Sequence, residues 1–502
     1  MNNYIGGKII IGPEYTEQVL PEYQNNPLIE CLPPILSKQE VIDMTFFRPE
    51  VPSDIQNIPP EVRFHLINRI KSAYFPGPEI IEIERNVSSM LRNGYILRNP
   101  LNMRKNFGVL NVLDNILEIK GPNQFFDSQF CNYSDNDEAT CMTYNVIGLP
   151  GMGKTTLIKK IMSTYPSILA HKEYKGKNLS LIQIPILKME CSSNGLKGFC
   201  LNFFSALDMR LKNTNYARQY GQSRLSQDYM LKQIEILSAQ HHIGLLVVDE
   251  IQHLASAGSE SAKIMNFFVS MTNVIHIPIL FVGTPSAHKV FGQQLRISRR
   301  VGTEGGYDWD RMPYYNEDGE PDRKWNSFLK FLWRLQYLNE YVEFNEEFSK
   351  LMYRYSQGIT AIAVALFILT QRHALEREER ITPELIKEVA DKHLKAVKPM
   401  IDALASGNKE EIKKYQDIKI SLDALVGSTP KADECIIANN FNQVVNGSSA
   451  KEEKPQRKSR NVKPIAIRDP KDLRYIFQQA QHNKIDLDVA FKEAGYLREL
   501  GE

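Results

Sequence analysis

The stretch YNVIGLPGMGKTTLIKKI, residues 144–161, decides how the rest of the chain is read. Its first four residues are a short run suited to a buried strand, and Thr155 onward carries the spacing of an amphipathic helix. Between them lie Gly148, four further residues, then Gly153, Lys154 and Thr155. Strand, glycine-rich loop and helix in this order make a phosphate-binding loop. The glycines let backbone N–H groups turn inward around a β-phosphate. The helix N-terminus adds partial positive charge, and Lys154 neutralises the β- and γ-phosphates. The Thr155 hydroxyl would sit on Mg²⁺. The candidate nucleotide-binding set is Gly148, Pro150, Gly151, Met152, Gly153, Lys154, Thr155 and Thr156.

A second stretch supplies the rest of such a site. IGLLVVDEIQHL (243–254) is an apolar run ending in two acids, as expected of a buried parallel strand. Asp249 would hold the Mg²⁺ through water, and Glu250 would polarise the attacking water as general base. No Asn-Lys-x-Asp or Thr-Lys-x-Asp guanine-reading segment is present, so ATP is the expected nucleotide and ATP hydrolysis the expected activity.

Composition bounds the remainder. A chain of 502 residues has room for two or three domains. Net charge is only +2, so any nucleic-acid surface must be local. No apolar run reaches membrane-spanning length, and the start MNNYIGGKII has no signal-peptide pattern. Cys31, Cys131, Cys141, Cys191, Cys200 and Cys435 are scattered without metal spacing. Buried reduced thiols, and hence a cytoplasmic location, are expected.

Along the chain, residues 1–62 are rich in proline and aromatics, which keeps regular elements short, and they are expected to pack on the core or on a partner. Helical patterns return in 61–97, with Asn86 as a cap and Gly94 as a stop. Strands are expected at 143–147, 181–191, 244–249 and 277–283, with helices between, which implies a parallel sheet covered on both faces. The stretch GTEGGYDWDRMPYYNEDGEPDRKW (302–325) reads as an inserted loop. From Asn345 the pattern is helical, with Thr382 and Pro383 opening the last helix. Beyond Pro399 the chain grows polar and includes a linker-like basic stretch at 451–464. The expected division is 1–62 extension, 63–340 α/β ATPase core, 341–398 helical lid, and 399–502 linker and partner-binding tail.

After the Asp-Glu strand comes one ending in Gly283-Thr284, where a polar side chain would lie between the phosphate loop and the acids. RISRR (296–300) follows. An arginine there, Arg299 or Arg300, would reach a neighbouring copy's phosphates. A basic patch facing solvent or DNA is the alternative.

This order resembles an AAA+ P-loop ATPase with a helical lid, Thr284 taking the place of sensor 1. LRNGYILRNP, QIPILKMEC, NGLKGFCLNFFSALD, NTNY, DEIQHL and VGTPSA further resemble the TnsC or TniB family of transposition regulators, related to the IstB helper ATPases. The likeness is dense over about 85–300, and the long terminal extensions are most similar to TnsC. It implies homo-oligomeric rings or filaments on double-stranded DNA, assembled with ATP and dismantled by hydrolysis, between a target-selecting protein and transposase subunits. One departure stands out. Where many AAA+ lids carry the sensor 2 arginine, three residues after Gly358, this chain has Ala361, which implies slow hydrolysis.

No sequence-reading DNA module is evident, so backbone contacts are expected. Lys197 is the first candidate, followed by Arg210, Lys212, Arg218 and Arg224; a solvated helix face is the alternative for each. The tail cluster Lys454, Arg457, Lys458, Arg460 and Lys463 reads as linker or docking segment. Two other readings stay open. A replication initiator or helicase loader should carry a winged helix after the lid, and a nucleotide-gated signalling scaffold should show no DNA affinity.

Overall fold

Alternate residues of the central strands enter two different cores, and that division builds the molecule. The structure is a computed structural model. It describes residues 7–101, 142–292 and 305–427, apart from positions 223, 257, 258 and 419. The strands described are β1 (Ile9–Ile11), β2 (Thr143–Gly148), β3 (Ile168–Tyr174), β4 (Lys177–Gln183), β5 (Ile186–Glu190), β6 (Leu245–Asp249), β7 (Ile279–Gly283) and β8 (Gly306–Trp309). The main sheet runs β5-β6-β7-β2-β8 with every neighbouring pair parallel. Val146, Val247, Leu280 and Val282 pack on one face, and Ile147, Val248, Ile279 and Phe281 on the other. Successive side chains of a strand point to opposite faces, so a doubly covered sheet needs unbroken apolar runs. Each fully buried side chain of this size contributes about 1.5–3 kcal/mol.

The helices Gly195–Leu211, Gln227–Gln240 and Ser259–Asn273 lie on the Phe281 side. Pro78–Ile96 and Lys154–Met162 pack on the Val146 side, and the helices Glu346–Ser356, Thr360–Leu375 and Pro383–His393 continue the same core. Tyr23, Leu28, Ile29 and Val41 enter that same core, so the proline-rich N-terminal segment packs onto the α/β body. Thr382 caps the last lid helix, its hydroxyl accepting from Leu385 N, as its sequence predicts. The apolar helix Thr360–Leu375 is buried in this layer, and among the described residues no single helix is long and apolar enough to cross a membrane.

Several local expectations are corrected. Pro78–Ile96 is one helix that neither starts at Asn86 nor stops at Gly94. Asn86 Nδ2 donates to Glu82 O within the helix, and Gly94 lies where an added Cβ would sit 2.6 Å from Pro278 Cδ. The stretch 181–191 is two strands in different sheets, because Pro185 separates β4 from β5. β4 pairs antiparallel with β3, which joins β1 in a small three-stranded sheet. The stretch 302–325 includes an edge strand: β8 pairs with β2 and buries Trp309 to 6% exposure. Of the cysteines, Cys31, Cys191 and Cys200 are buried free thiols; Cys131, Cys141 and Cys435 lie outside the described residues, as does the basic stretch 451–464.

Candidate nucleotide site

Strand order places the site. β7 lies between β6 and β2, so Thr284 at the end of β7 falls between Asp249 at the end of β6 and the phosphate loop after β2. All open into one cavity of about 790 Å³, which Gly151, Lys154, Thr155, Asp249, Glu250 and Thr284 line together. Gly151 (φ +79°) and Gly153 (φ +99°) take left-handed backbone values that a Cβ disfavours. Pro150, Met152 and Thr156 line the cavity as well, and Met152 is buried beneath the loop. Gly148, the first loop glycine, lies against Trp309, where an added Cβ would be 2.4 Å from its carbonyl oxygen.

Lys154 Nζ donates to Gly148 O at 2.6 Å and to Leu149 O at 2.9 Å. Burial lowers its pKa to about 8, against the pull of Glu250 and Asp249. Thr155 Oγ1 donates to Asp249 Oδ2 at 3.0 Å, so the two oxygen ligands expected for Mg²⁺ converge. Lys188 Nζ, from β5, reaches the same Oδ2 at 2.9 Å, which marks the carboxylate as a place for a cation. Hard oxygens from one hydroxyl and one carboxylate suit Mg²⁺, which takes few protein ligands and completes its shell with phosphates and water.

Glu250 has φ +58°, a left-handed value for a residue with a side chain. Its carboxylate accepts from Gln252 Nε2, and Gln252 Oε1 accepts from Thr284 N at 3.2 Å. One glutamine thus joins the candidate base to the candidate sensor. The lid meets the loop through its first turn: Thr360 Oγ1 and Ala361 N each donate to Gly151 O at 2.9 Å. Ala361 gives the loop only its backbone N–H and methyl. Among the described residues no arginine lines the cavity, whose lining lysines are Lys71, Lys154, Lys159 and Lys289.

The other expected residues are spread out. Arg299 and Arg300 lie outside the described residues. Lys197 stands, half-buried, in the first turn of Gly195–Leu211. Arg210 is half-buried, and its guanidinium donates to Ile186 O at 3.4 Å, toward the sheet rather than outward. Lys212, Arg218 and Arg224 are exposed on the segment after that helix. Lys188, Gln252, Ser286 and Asp417 belong to the site without having been singled out by the sequence. Gln252 and Ser286 each stand two residues beyond a candidate, a spacing that hinted at them.

A parallel sheet carrying a phosphate loop, an acid strand and a polar strand end between them, followed by a helical region, defines an AAA+ P-loop domain. A family model described as an AAA domain matches residues 138–291. No curated protein matches the chain. Among solved structures it is similar to the Aeropyrum pernix ORC2 protein in ADPNP–ADP complexes, at 12% identity and TM-score 0.33, over 70% of this chain and 88% of that one. It is also similar to the Aeropyrum pernix ORC1 protein in complex with DNA, at 14% identity and TM-score 0.34, over 68% and 83%. A Walker-type ATPase of Pyrococcus abyssi matches at 13% identity and TM-score 0.32, over 62% and 81%.

Proposed function

We propose that this chain is an ATP-dependent, DNA-binding regulator of DNA transposition. It assembles as a homo-oligomer on target DNA and links a target-selecting protein to the transposase, with hydrolysis ending the assembly. The observation that supports the reading is one cavity lined together by the phosphate loop, Thr155, Asp249, Glu250 and Thr284, the set proposed to bind and hydrolyse a triphosphate. Positive charge brought to that cavity by a neighbouring copy would stabilise the charge that develops on the transferring phosphoryl group. Arg299 and Arg300 are the residues proposed to do so. The transposition assignment is supported by the segments that resemble the TnsC or TniB family.

In the reaction, Lys154 and the backbone N–H groups of Gly151 and Gly153 hold the phosphates. Glu250 takes the proton of the attacking water, and Thr284 orients that water through its hydroxyl. Thr155 and Asp249 would hold Mg²⁺, which would supply charge neutralisation on the phosphates when bound. DNA is held through phosphate contacts from Lys197, Lys212, Arg218 and Arg224, which gives binding without sequence preference and a strong salt dependence. Arg210, turned toward the sheet, is the weakest member of that set.

The test is association with a duplex of arbitrary sequence, followed by sedimentation and electron microscopy, with a non-hydrolysable ATP analogue, ADP or no nucleotide. Large DNA-bound assemblies are expected only with the analogue, and none for Lys154→Ala. Replacing Lys212, Arg218 or Arg224 by alanine should make the dependence of log K on log salt shallower by about 1 for each DNA phosphate no longer neutralised. DNA binding that ignores nucleotide at low salt, or fails altogether, sinks the proposal.

A further inference from the structure

One wall of the nucleotide cavity is made by a segment that the chemistry above does not use. After the helices Lys398–Ser406 and Lys409–Lys413 the chain turns back, and Asp417, Ile418, Ile420, Ser421 and Leu422 line the cavity. Asp417 Oδ1 accepts from Thr284 Oγ1 at 2.5 Å and also from the Ser286 hydroxyl. Both hydroxyl residues are buried, each 6% exposed. On the opposite wall, a Cβ added to Gly151 would lie 3.3 Å from Ile420 Cγ2, so the segment reaches from the sensor to the phosphate loop. Its far end is tied down by Lys71 Nζ on Asp423 at 2.7 Å and by Arg372 Nη1 donating to Val426 O at 2.7 Å.

A hydroxyl has one proton to give. While Thr284 gives it to Asp417, it cannot give it to a phosphate oxygen or to a water. A carboxylate and a terminal phosphate drawn to the same hydroxyls also repel each other, most strongly where water is scarce. A diphosphate, one phosphoryl group shorter, makes no such demand on the sensor.

We propose that the segment Asp417–Leu422 is a strap whose single carboxylate, that of Asp417, occupies the sensor hydroxyls in place of a terminal phosphate. The strap lifts when a nucleoside triphosphate binds and stays in place over a diphosphate. The inference rests on the reading of the cavity as a nucleotide site, and it deepens that reading by giving ATP and ADP different consequences. The strap stands between helices whose Met400, Ile401, Leu404, Leu425 and Val426 pack in the main core, so its release would couple the terminal phosphate to that packing as a population shift. In the strapped state, triphosphate affinity is reduced by the fraction of molecules with the strap open.

The experiment uses the full chain and measures binding of ADP and of a non-hydrolysable ATP analogue to wild type, Asp417→Ala and Asp417→Asn by calorimetry. Amide hydrogen exchange across 414–427 is followed in parallel. Asp417 is exposed apart from its carboxylate contacts, so its removal should leave the fold intact. Asp417→Ala is expected to tighten analogue binding on the order of tenfold, the scale of a hydrogen bond to a charged group, with ADP affinity unchanged. Asp417→Asn should fall between. In wild type the analogue, and not ADP, should raise exchange across 417–427. If both nucleotides bind and Asp417→Ala shifts neither, or both equally, the strap is refuted while the nucleotide site stands. An analogue that binds wild type but leaves its exchange unchanged refutes the strap in the same way. If neither protein binds either nucleotide, the nucleotide reading itself fails and the strap falls with it.

Discussion

Glu250 keeps a left-handed backbone that costs a residue with a Cβ about 1–2 kcal/mol, and it does so at the rim of a cavity between Asp249 and Gln252. Strain of this kind persists where the surroundings over-determine it. Here Asp249 Oδ1 accepts from Glu250 N at 3.0 Å, and Gln252 holds the carboxylate. If that carboxylate is the base, Glu250→Gln should cut phosphate release at least about 100-fold while analogue affinity changes no more than a few-fold. Parallel loss of binding and turnover in that variant would instead make Glu250 a structural residue. That Lys154, Thr155, Asp249 and Thr284 would converge was legible in the sequence because each follows an apolar run that forms a strand of one parallel sheet. Asp417 was not, because it stands 133 residues from the hydroxyl that it meets. Lys188 was hidden for another reason. Inside the run QIPILKMEC a single lysine gives no sign that its ammonium turns back to the neighbouring strand's aspartate.

Elements distant in sequence are joined by a few buried polar ties. Arg63, from the helix Pro60–Ile67, makes a two-pronged pair with Glu379 beyond the lid helix Thr360–Leu375, both contacts at 2.8 Å. The arginine side chain is 2% exposed and the carboxylate 19%. The Arg63 guanidinium holds the Glu379 carboxyl below its usual pKa. Arg63→Ala leaves a largely buried carboxylate alone and should cost about 2–3 kcal/mol, read as a lower urea midpoint. Arg63→Lys should recover only part of it, because an ammonium cannot reproduce the fork. Gly94→Ala tests how the long helix Pro78–Ile96 is seated. Propensity alone would favour alanine by about 1 kcal/mol, but the methyl would meet Pro278, so a net loss of stability is expected, again as a lower urea midpoint. The misplaced boundaries have separate causes. Gly94 and the β8 residues obey packing partners that local propensity does not contain, Asn86 bonds within its own helix instead of capping it, and Pro185 broke its strand through its own covalent ring.

At the scale of the whole molecule, the sheet has a working end and a quiet one, and they should respond differently to acid. The site lies at the C-terminal ends of β2, β6 and β7, while His241, His242 and His276 lie just before β6 and β7, at the opposite end. Tyr95 and Arg98, from the end of Pro78–Ile96, lock that end, donating to the carbonyls of His242 and of Ile243 and Gly244. Burial lowers the pKa of His241 to about 4, and burial together with the Arg98 charge does the same for His276. His241 stays neutral with Nε2 against the Tyr216 hydroxyl at 2.9 Å. The unfolded chain takes up these protons near pH 6.5 and the folded one only near 4, so between those values the unfolded state binds more protons. Stability is therefore full above about pH 6.5 and falls as pH drops toward 4, by roughly 1–3 kcal/mol for each such histidine. Carboxylates held low by partners, such as Glu379, add a loss of the same sign at lower pH. Urea midpoints at pH 7.5, 6 and 5 for wild type, His241→Gln and His276→Gln separate the two sources. The histidine variants should show a flatter decline between pH 6.5 and 5, and slopes identical to wild type would place the acid sensitivity elsewhere. Hydrogen exchange at pH 5 should open first in peptides spanning 238–246 and 273–280, before the phosphate loop, because the proton-driven loss begins at the end of the sheet that holds no phosphate chemistry.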